Sequence, residues 1–174
     1  MDYHIKPQIF ISHREIKAVV SRLAGEISND YQDKSLMLIS ILKGSFVFLA
    51  DLMRSLELPL EIEFVKLSSY GNGKESSGNI KMVHGLDIGV SGKYVLVVED
   101  IIDTGLTTNF FLDYLRQKQP SSIKICALMS KPSRRKFPVN IDYLGFTVPD
   151  KFLVGYGLDC GEKYRNLPDI CFIE

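Results

Sequence analysis

Residues 94–108 read YVLVVEDIIDTGLTT. Five apolar residues run directly into Glu99 and Asp100. Asp103, Thr104 and Gly105 follow, then Leu106, Thr107 and Thr108. A short continuous apolar run is the pattern of a strand buried on both faces. In open parallel sheets, ligands gather at the carboxyl ends of the strands, and this strand delivers three carboxylates and a Thr/Gly turn to such an end. The following NFFLDYLRQK (109–118) reads as a helix. A helix N-terminus carries partial positive charge and unpaired N–H groups, so the turn can hold a phosphate without any lysine. Gly105 lets the backbone come close to it. Glu99 and Asp100 would be repelled by that phosphate. They are expected to face another part of the same ligand, ribose hydroxyls or a hydrated Mg²⁺. The string suits a sugar phosphate, and it is neither G-x-x-x-x-G-K-[ST] nor G-x-G-x-x-G. A lone acidic pair here would mean only an acidic strand end before a capped helix; the ten-residue string EDIIDTGLTT argues for the ligand.

Working outward, the same rhythm recurs. SHRE (12–15) reads as a capping box, with Ile16, Val19, Val20, Leu23 and Ile27 behind it on one helical face. LMLISIL (36–42) is a second buried strand. KGS and a helical FVFLADLMRSL follow, ending before Pro59. EIEFVKL (61–67) and IKICALM (123–129) read as further strands. Strands alternating with helices imply βαβ units, hence an α/β fold with a mostly parallel twisted sheet flanked by helices. After residue 130 the pattern breaks into loops and short strands around YLGFTV and FLVGYG, which suit a small hood over the sheet. SSYGNGKESSGNIK (68–81) is almost without apolar side chains and cannot order itself by packing. It reads either as a solvated hairpin loop or as a mobile lid over an active site.

Composition narrows the function classes. The chain has 174 residues, 45% of them hydrophobic, which suits a single domain over 1–174. Its 21 basic and 21 acidic residues cancel, which gives no broad electrostatic footprint for nucleic acid. The N-terminus lacks the apolar segment of a signal peptide. No apolar run approaches the ~20 residues of a membrane-spanning helix. Cys126, Cys160 and Cys171 form no CxxC pair, and a reducing cytoplasm fits them best.

VLVVEDIIDTGLTT closely resembles the phosphoribosyl pyrophosphate signature of the type I phosphoribosyltransferases, and EDIIDTG resembles their hypoxanthine(-guanine) branch. LKGSFVFLADL (42–52), SSYG (68–71), SKP (130–132) and VPDKFLVGYGLD (148–159) with Arg165 match the family in order and spacing. The resemblance therefore covers nearly the whole chain. It implies a single-domain type I phosphoribosyltransferase fold with a small C-terminal/N-terminal hood, residues from about 130 to 174 contributing its base-binding part, and 68–81 closing as a lid. It implies purine salvage: transfer of a 5-phosphoribosyl group from phosphoribosyl pyrophosphate to N9 of hypoxanthine or guanine, giving IMP or GMP and pyrophosphate. It implies Mg²⁺, no nucleic acid or membrane partner, and a homodimer or homotetramer.

By residue, the resemblance makes Asp103 the general base at purine N7. A free aspartate is a weak base for a purine proton, so proton transfer is expected to lag behind cleavage of the ribose–pyrophosphate bond. Glu99 and Asp100 would hold the ribose hydroxyls and a metal, and their field would favour a cationic sugar. Thr104, Gly105, Leu106, Thr107 and Thr108 would cradle the 5′-phosphate. Lys43, Gly44, Ser69, Tyr70 and Arg165 would bind pyrophosphate, with a cis peptide at Lys43. Phe152 would stack on the purine, Lys131 would donate to its O6, and backbone groups of Leu153 would read N1. Asp159 would close the purine site and bind a second Mg²⁺. Leu106 stands where some relatives have lysine, which leaves the phosphate to N–H groups and threonines. RRK (134–136) reads as a solvated turn or a subunit contact. Two other readings remain: a protein keeping this fold to sense nucleotides while binding nucleic acid, and a transferase preferring xanthine or another base.

Overall fold

The computed structural model describes residues 7–70 and 79–173. The elements run β1 (Gln8–Ile11), α1 (His13–Asp30), β2 (Leu36–Leu42), α2 (Phe46–Ser55), β3 (Leu60–Tyr70), β4 (Asn79–His84), β5 (Tyr94–Ile102), α3 (Leu106–Arg116), β6 (Ser122–Ser130), β7 (Tyr143–Thr147), β8 (Leu153–Val154) and β9 (Ile170–Phe172). The predicted capping box forms: the Ser12 side chain accepts from the Glu15 N–H, and Glu15 accepts from the Ser12 N–H. Of the predicted α1 face, Ile16, Val20, Leu23 and Ile27 are fully buried, and Val19 packs against them half-buried.

The large sheet has the order β4-β3-β2-β5-β6-β7, parallel throughout except for the antiparallel β4 edge. Helices α1 and α2 cover one face over a core that includes Leu38, Phe48, Leu52, Leu96 and Leu128. Helix α3 covers the other, over Met37, Ile39, Val95, Val97, Phe111 and Leu115. Both faces being buried explains why β2 and β5 read as unbroken apolar runs rather than alternating ones. From β2 the chain steps to β3; from β5 it steps the opposite way to β6 and β7. The boundary between β2 and β5 is thus the switch point where open α/β sheets leave a crevice for a ligand.

Three differences from the sequence expectations have physical reasons. Strand β5 does not end at Val98 but runs through Glu99 and Asp100 to Ile102, because β6 supplies partners as far as Ile102↔Ser130. YLGFT (143–147) belongs to the edge of the large sheet, in register with β6, rather than to the hood. The separate small sheet is β1-β9-β8, so the hood joins the N-terminal strand to the end of the chain. In the polar segment 68–81, backbone pairing succeeds where side-chain packing could not: Ser68↔Lys81, Ser69↔Ile80 and Tyr70↔Asn79 continue the β3–β4 ladder. Residues 71–78, the middle of the segment read as a hairpin or lid, lie outside the described residues.

The hood is tied down by polar contacts. The His13 N–H donates to Asp169 at 2.7 Å, and the Tyr156 hydroxyl donates to Asp51 of α2 at 2.6 Å. Among the described residues, no helix is long and apolar enough to cross a membrane.

Candidate active site

Residues from four segments meet at the β2/β5 switch point: the ends of β2 and β5, the turn after β6, and the loop from the hood. The turn into α3 is the most rigidly built. Gly105 caps the helix with φ +84° and no side-chain hydrogen bond. A Cβ there would meet the Phe137 carbonyl oxygen at 2.4 Å, so glycine is required both by conformation and by space. The first N–H groups of α3 have no intrahelical acceptors, and such a helix start suits an anion. The Leu106 N–H makes a long bond to Thr104 Oγ1 at 3.4 Å. Thr107 is exposed. Thr108 is not a displayed hydroxyl: it is buried and donates to Glu99 at 3.2 Å.

That bond fixes Glu99 in the α3-side layer, where it is 5% exposed. Burial pushes its carboxyl well above the usual carboxylate range and the Asp100 charge adds to the rise, while the Thr108 hydroxyl works against it. As successive strand residues, Glu99 and Asp100 turn to opposite faces of the sheet. Asp100 faces the loop after β2. Burial pushes its carboxyl up to about 6; N–H donation from Ile101 and nearby Arg165 oppose this, and Asp159 adds to it.

The loop after β2 packs as closely as backbone allows. The Leu42–Lys43 peptide is cis, as the family resemblance implies. A Cβ on Gly44 would stand 1.7 Å from Asp100 Oδ2. On the other side, a Cβ on Gly157 (φ +100°) would meet the Gly44 carbonyl oxygen at 2.1 Å. Asp100, Gly44 and Gly157 therefore form a column linking β5, the β2 loop and the hood.

Around it the charges are paired. Lys43 Nζ lies 2.9 Å from Glu162. Arg165 Nη2 lies 2.8 Å from Asp159 Oδ1 and 3.4 Å from Glu162, and its Nη1 donates to the Gly157 carbonyl. Asp159 Oδ2 accepts from the Glu162 N–H at 2.8 Å. Lys43 and Arg165 line a cavity of about 480 Å³ together with Leu42, Phe46, Phe64 and Glu162. Ser69 and Tyr70 close β3; their side chains lie outside the described part of the chain.

On the far side, Lys131 is 8% exposed. Its N–H donates to the Ile102 carbonyl and its ammonium to the Lys151 carbonyl at 2.7 Å. Asp150 is 3.9 Å from that ammonium. Phe152 beside it is 54% exposed, and Leu153 is buried. Asp103 stands between the two halves. Its Oδ1 accepts from Arg134 Nε at 3.0 Å, and Arg134 also reaches Asp150 at 3.5 Å. Arg135 donates to the Asp103 and Ile102 carbonyls and to Ser130 Oγ. RRK is thus neither a free turn nor a spare surface: both arginines brace the Asp103 turn. Sequence reasoning missed them because their partners lie some thirty residues away and leave no local pattern.

The donor set fits a hard divalent cation only in part. Carboxylate oxygens are the right chemistry. Among the described residues, however, no three acidic, histidine or cysteine side chains converge. An ion here would need oxygens from a substrate as well, as Mg²⁺ sites commonly do.

Comparison with known proteins agrees with this geometry. A family model described as "Phosphoribosyl transferase domain" matches residues 10–160. A hypoxanthine-guanine phosphoribosyltransferase of Aquifex aeolicus is 47% identical over 170 residues, covering 97% of this chain and 96% of that one. One of Bacillus subtilis is 45% identical, covering 96% and 93%. Among solved structures, a hypoxanthine phosphoribosyltransferase from Staphylococcus aureus superposes with a TM-score of 0.93 at 37% identity, covering 96% of this chain and 91% of that one. A hypoxanthine-guanine phosphoribosyltransferase from Bacillus anthracis gives 0.91 at 41% identity, covering 98% and 99%. The chain belongs to the phosphoribosyltransferase family, in its hypoxanthine(-guanine) branch, and is a transferase.

Proposed function

We propose that this protein transfers the 5-phosphoribosyl group of phosphoribosyl pyrophosphate to N9 of hypoxanthine or guanine, forming IMP or GMP in purine salvage. The observation that carries the reading is the α3 N-terminus, a glycine-capped helix start at the β2/β5 switch point, with Asp100 packed on the Gly44 loop and the adjoining Lys43 lining a cavity with Arg165. N–H groups from Gly105 to Thr108 hold the 5′-phosphate, with the side chains of Thr104 and Thr107 at its rim. Asp100 meets the ribose hydroxyls, and Glu99 supports positive character on the sugar from behind.

Lys43, the Gly44 backbone and Arg165 take the pyrophosphate; Ser69 and Tyr70 are proposed to cover it. Asp159 and Glu162 pair with these cations, which are the charge-assisted donors a phosphoryl group would use. Asp100 and Asp159 would hold Mg²⁺ with oxygens of the substrate, and the ion would neutralise charge on the departing pyrophosphate.

The base enters between Phe152 and the α3 turn. Lys131 has one of its three donors on the Lys151 carbonyl, which supports donation to O6. Adenine would present a donor there and leave one of the ammonium's donors without an acceptor. The Leu153 backbone reads N1. As N9 bonds to the ribose C1′ and the C1′–O bond to pyrophosphate breaks, the N7 proton passes to Asp103. Balanced charge and the lack of a spanning helix among the described residues support a cytoplasmic enzyme. The family resemblance supports self-association as a dimer or tetramer.

The test is incubation with phosphoribosyl pyrophosphate, Mg²⁺ and each of hypoxanthine, guanine, xanthine and adenine, followed by chromatography. IMP and GMP are expected, and no AMP. Failure to form nucleotide from any of the four would overturn the reading.

A further inference from the structure

Resting on the function proposed above, we propose that Arg134 is a positioning residue: it holds the Asp103 carboxylate in register with the turn that receives the purine. The geometry is a two-point bridge. Arg134 Nε donates to Asp103 Oδ1 at 3.0 Å, while its Nη1 lies 3.5 Å from Asp150 Oδ2. Asp150 immediately precedes Lys151, whose carbonyl anchors the Lys131 ammonium, and Phe152, the exposed ring. One guanidinium therefore spans the carboxylate that meets N7 and the segment that holds the base.

The neighbouring arginine divides the labour. Arg135 fixes the main chain, through the carbonyls of Ile102 and Asp103, and leaves the Asp103 side chain free to turn about χ1. Arg134 removes that freedom on one oxygen. No described side chain bonds Oδ2, which is left to face the substrate. Lysine cannot do this job fully, because an ammonium is a single point of donation where Arg134 uses two edges of a planar fork.

The energetics separate this role from a structural one. Arg134 is 46% exposed, Asp103 40% and Asp150 53%. Ion pairs that open to solvent add little stability, so removing Arg134 should shift Tm by no more than about 3 °C. A small misplacement of a reacting group, by contrast, lowers turnover by as much as about a hundredfold. The bridge is thus worth far more to turnover than to folding.

The experiment compares wild type, Arg134→Ala, Arg134→Lys, Asp150→Asn and the Arg134→Ala/Asp150→Asn double variant, with saturating Mg²⁺ and hypoxanthine as acceptor. We expect Arg134→Ala to lose about ten- to a hundredfold in kcat, with KM for phosphoribosyl pyrophosphate changed less than about twofold and Tm nearly unchanged. Arg134→Lys should recover part of kcat, and added guanidinium ion should partly rescue Arg134→Ala. Because the two contacts act through one side chain, the double variant should be no slower than Arg134→Ala alone. The inference is overturned if Arg134→Ala keeps kcat within about twofold, if its loss falls on KM for the phosphate donor or tracks a large drop in Tm, or if the double variant's losses simply multiply. A wild-type protein inert toward every purine would instead sink the proposed function, and this inference with it.

Discussion

The two halves of the site are built from different materials. The ribose-phosphate half is made of backbone and buried groups: Gly105 at φ +84° against the Phe137 carbonyl, and Thr108 locked onto Glu99. The pyrophosphate and base half rests largely on side-chain pairs, the exposed ones being Lys43–Glu162 and Arg134–Asp103 and the more buried ones Arg165–Asp159 and the Lys131 ammonium on the Lys151 carbonyl. The first kind tolerates no added atom. The exposed pairs of the second exchange partners at little cost, because such pairs contribute little stability. The phosphate site is therefore preformed, and the groups that meet the leaving group and the base are free to let go of their internal partners when a ligand arrives. Substitutions in the first half should damage folding and function together; those in the second should damage function alone.

Gly105→Ala is the harshest test of this division. It combines a left-handed φ with a carbonyl oxygen 2.4 Å from the new Cβ. A destabilisation of about 2–4 kcal/mol is expected, with activity lost alongside. A melting curve like that of the wild type would erase the distinction between the halves. Asp103→Asn probes the other half. Turnover should drop by about 10²–10⁴-fold while Tm and affinity for phosphoribosyl pyrophosphate, measured by calorimetry, stay near wild type. Turnover like the wild type's would remove Asp103 from its role.

The third test uses pH. Burial raises the Asp100 carboxyl from 3.8 to about 6, so it carries a proton below that value. Affinity for the Mg²⁺–phosphoribosyl pyrophosphate pair should fall by up to about tenfold per pH unit below 6 and stay flat above 7. For the ligand-free protein the sign reverses. Between about 4 and 6 the folded state holds a proton that the unfolded chain has released, so Asp100's contribution to stability declines as pH rises through this window. Asp100→Asn should flatten both profiles, and a pH dependence that survives that substitution would assign it elsewhere. The smallest effect is expected from Glu162→Gln. Removing an internal competitor for Lys43 and Arg165 should lower KM for phosphoribosyl pyrophosphate about twofold at low salt, and less at high salt. A rise in KM would mean that Glu162 helps hold the donor rather than standing in for it.

Local signals carried much of the fold. The capping box at Ser12 and Glu15 and the apolar runs at 36–42 and 94–98 depend on neighbours in the chain; the first two appear as read, and the third is the start of a longer strand. Strand β4 was invisible because an edge strand is held by hydrogen bonds to β3, which any polar sequence can make. YLGFT looked like hood because strand length says nothing about which sheet completes the pairing. In the site, the residue types were legible from the motif, but their orientation was not. The divergence of Glu99 from Asp100 follows from β5 continuing past Val98, which only the β6 ladder dictates. The bracing of Asp103 by Arg134 and Arg135 is a contact across about thirty residues that no window of sequence contains.

The pinch of Gly44 between Asp100 and Gly157 has a consequence for anyone wishing to re-engineer base choice. A hood transplanted from a relative would arrive with its own bend at 155–157, and the recipient's 42–44 segment would have to mate with it to within a few tenths of an ångström. The two pieces are a lock and its strike plate, and a chimera that exchanges one without the other should jam at the leaving-group end even when its purine pocket is flawless.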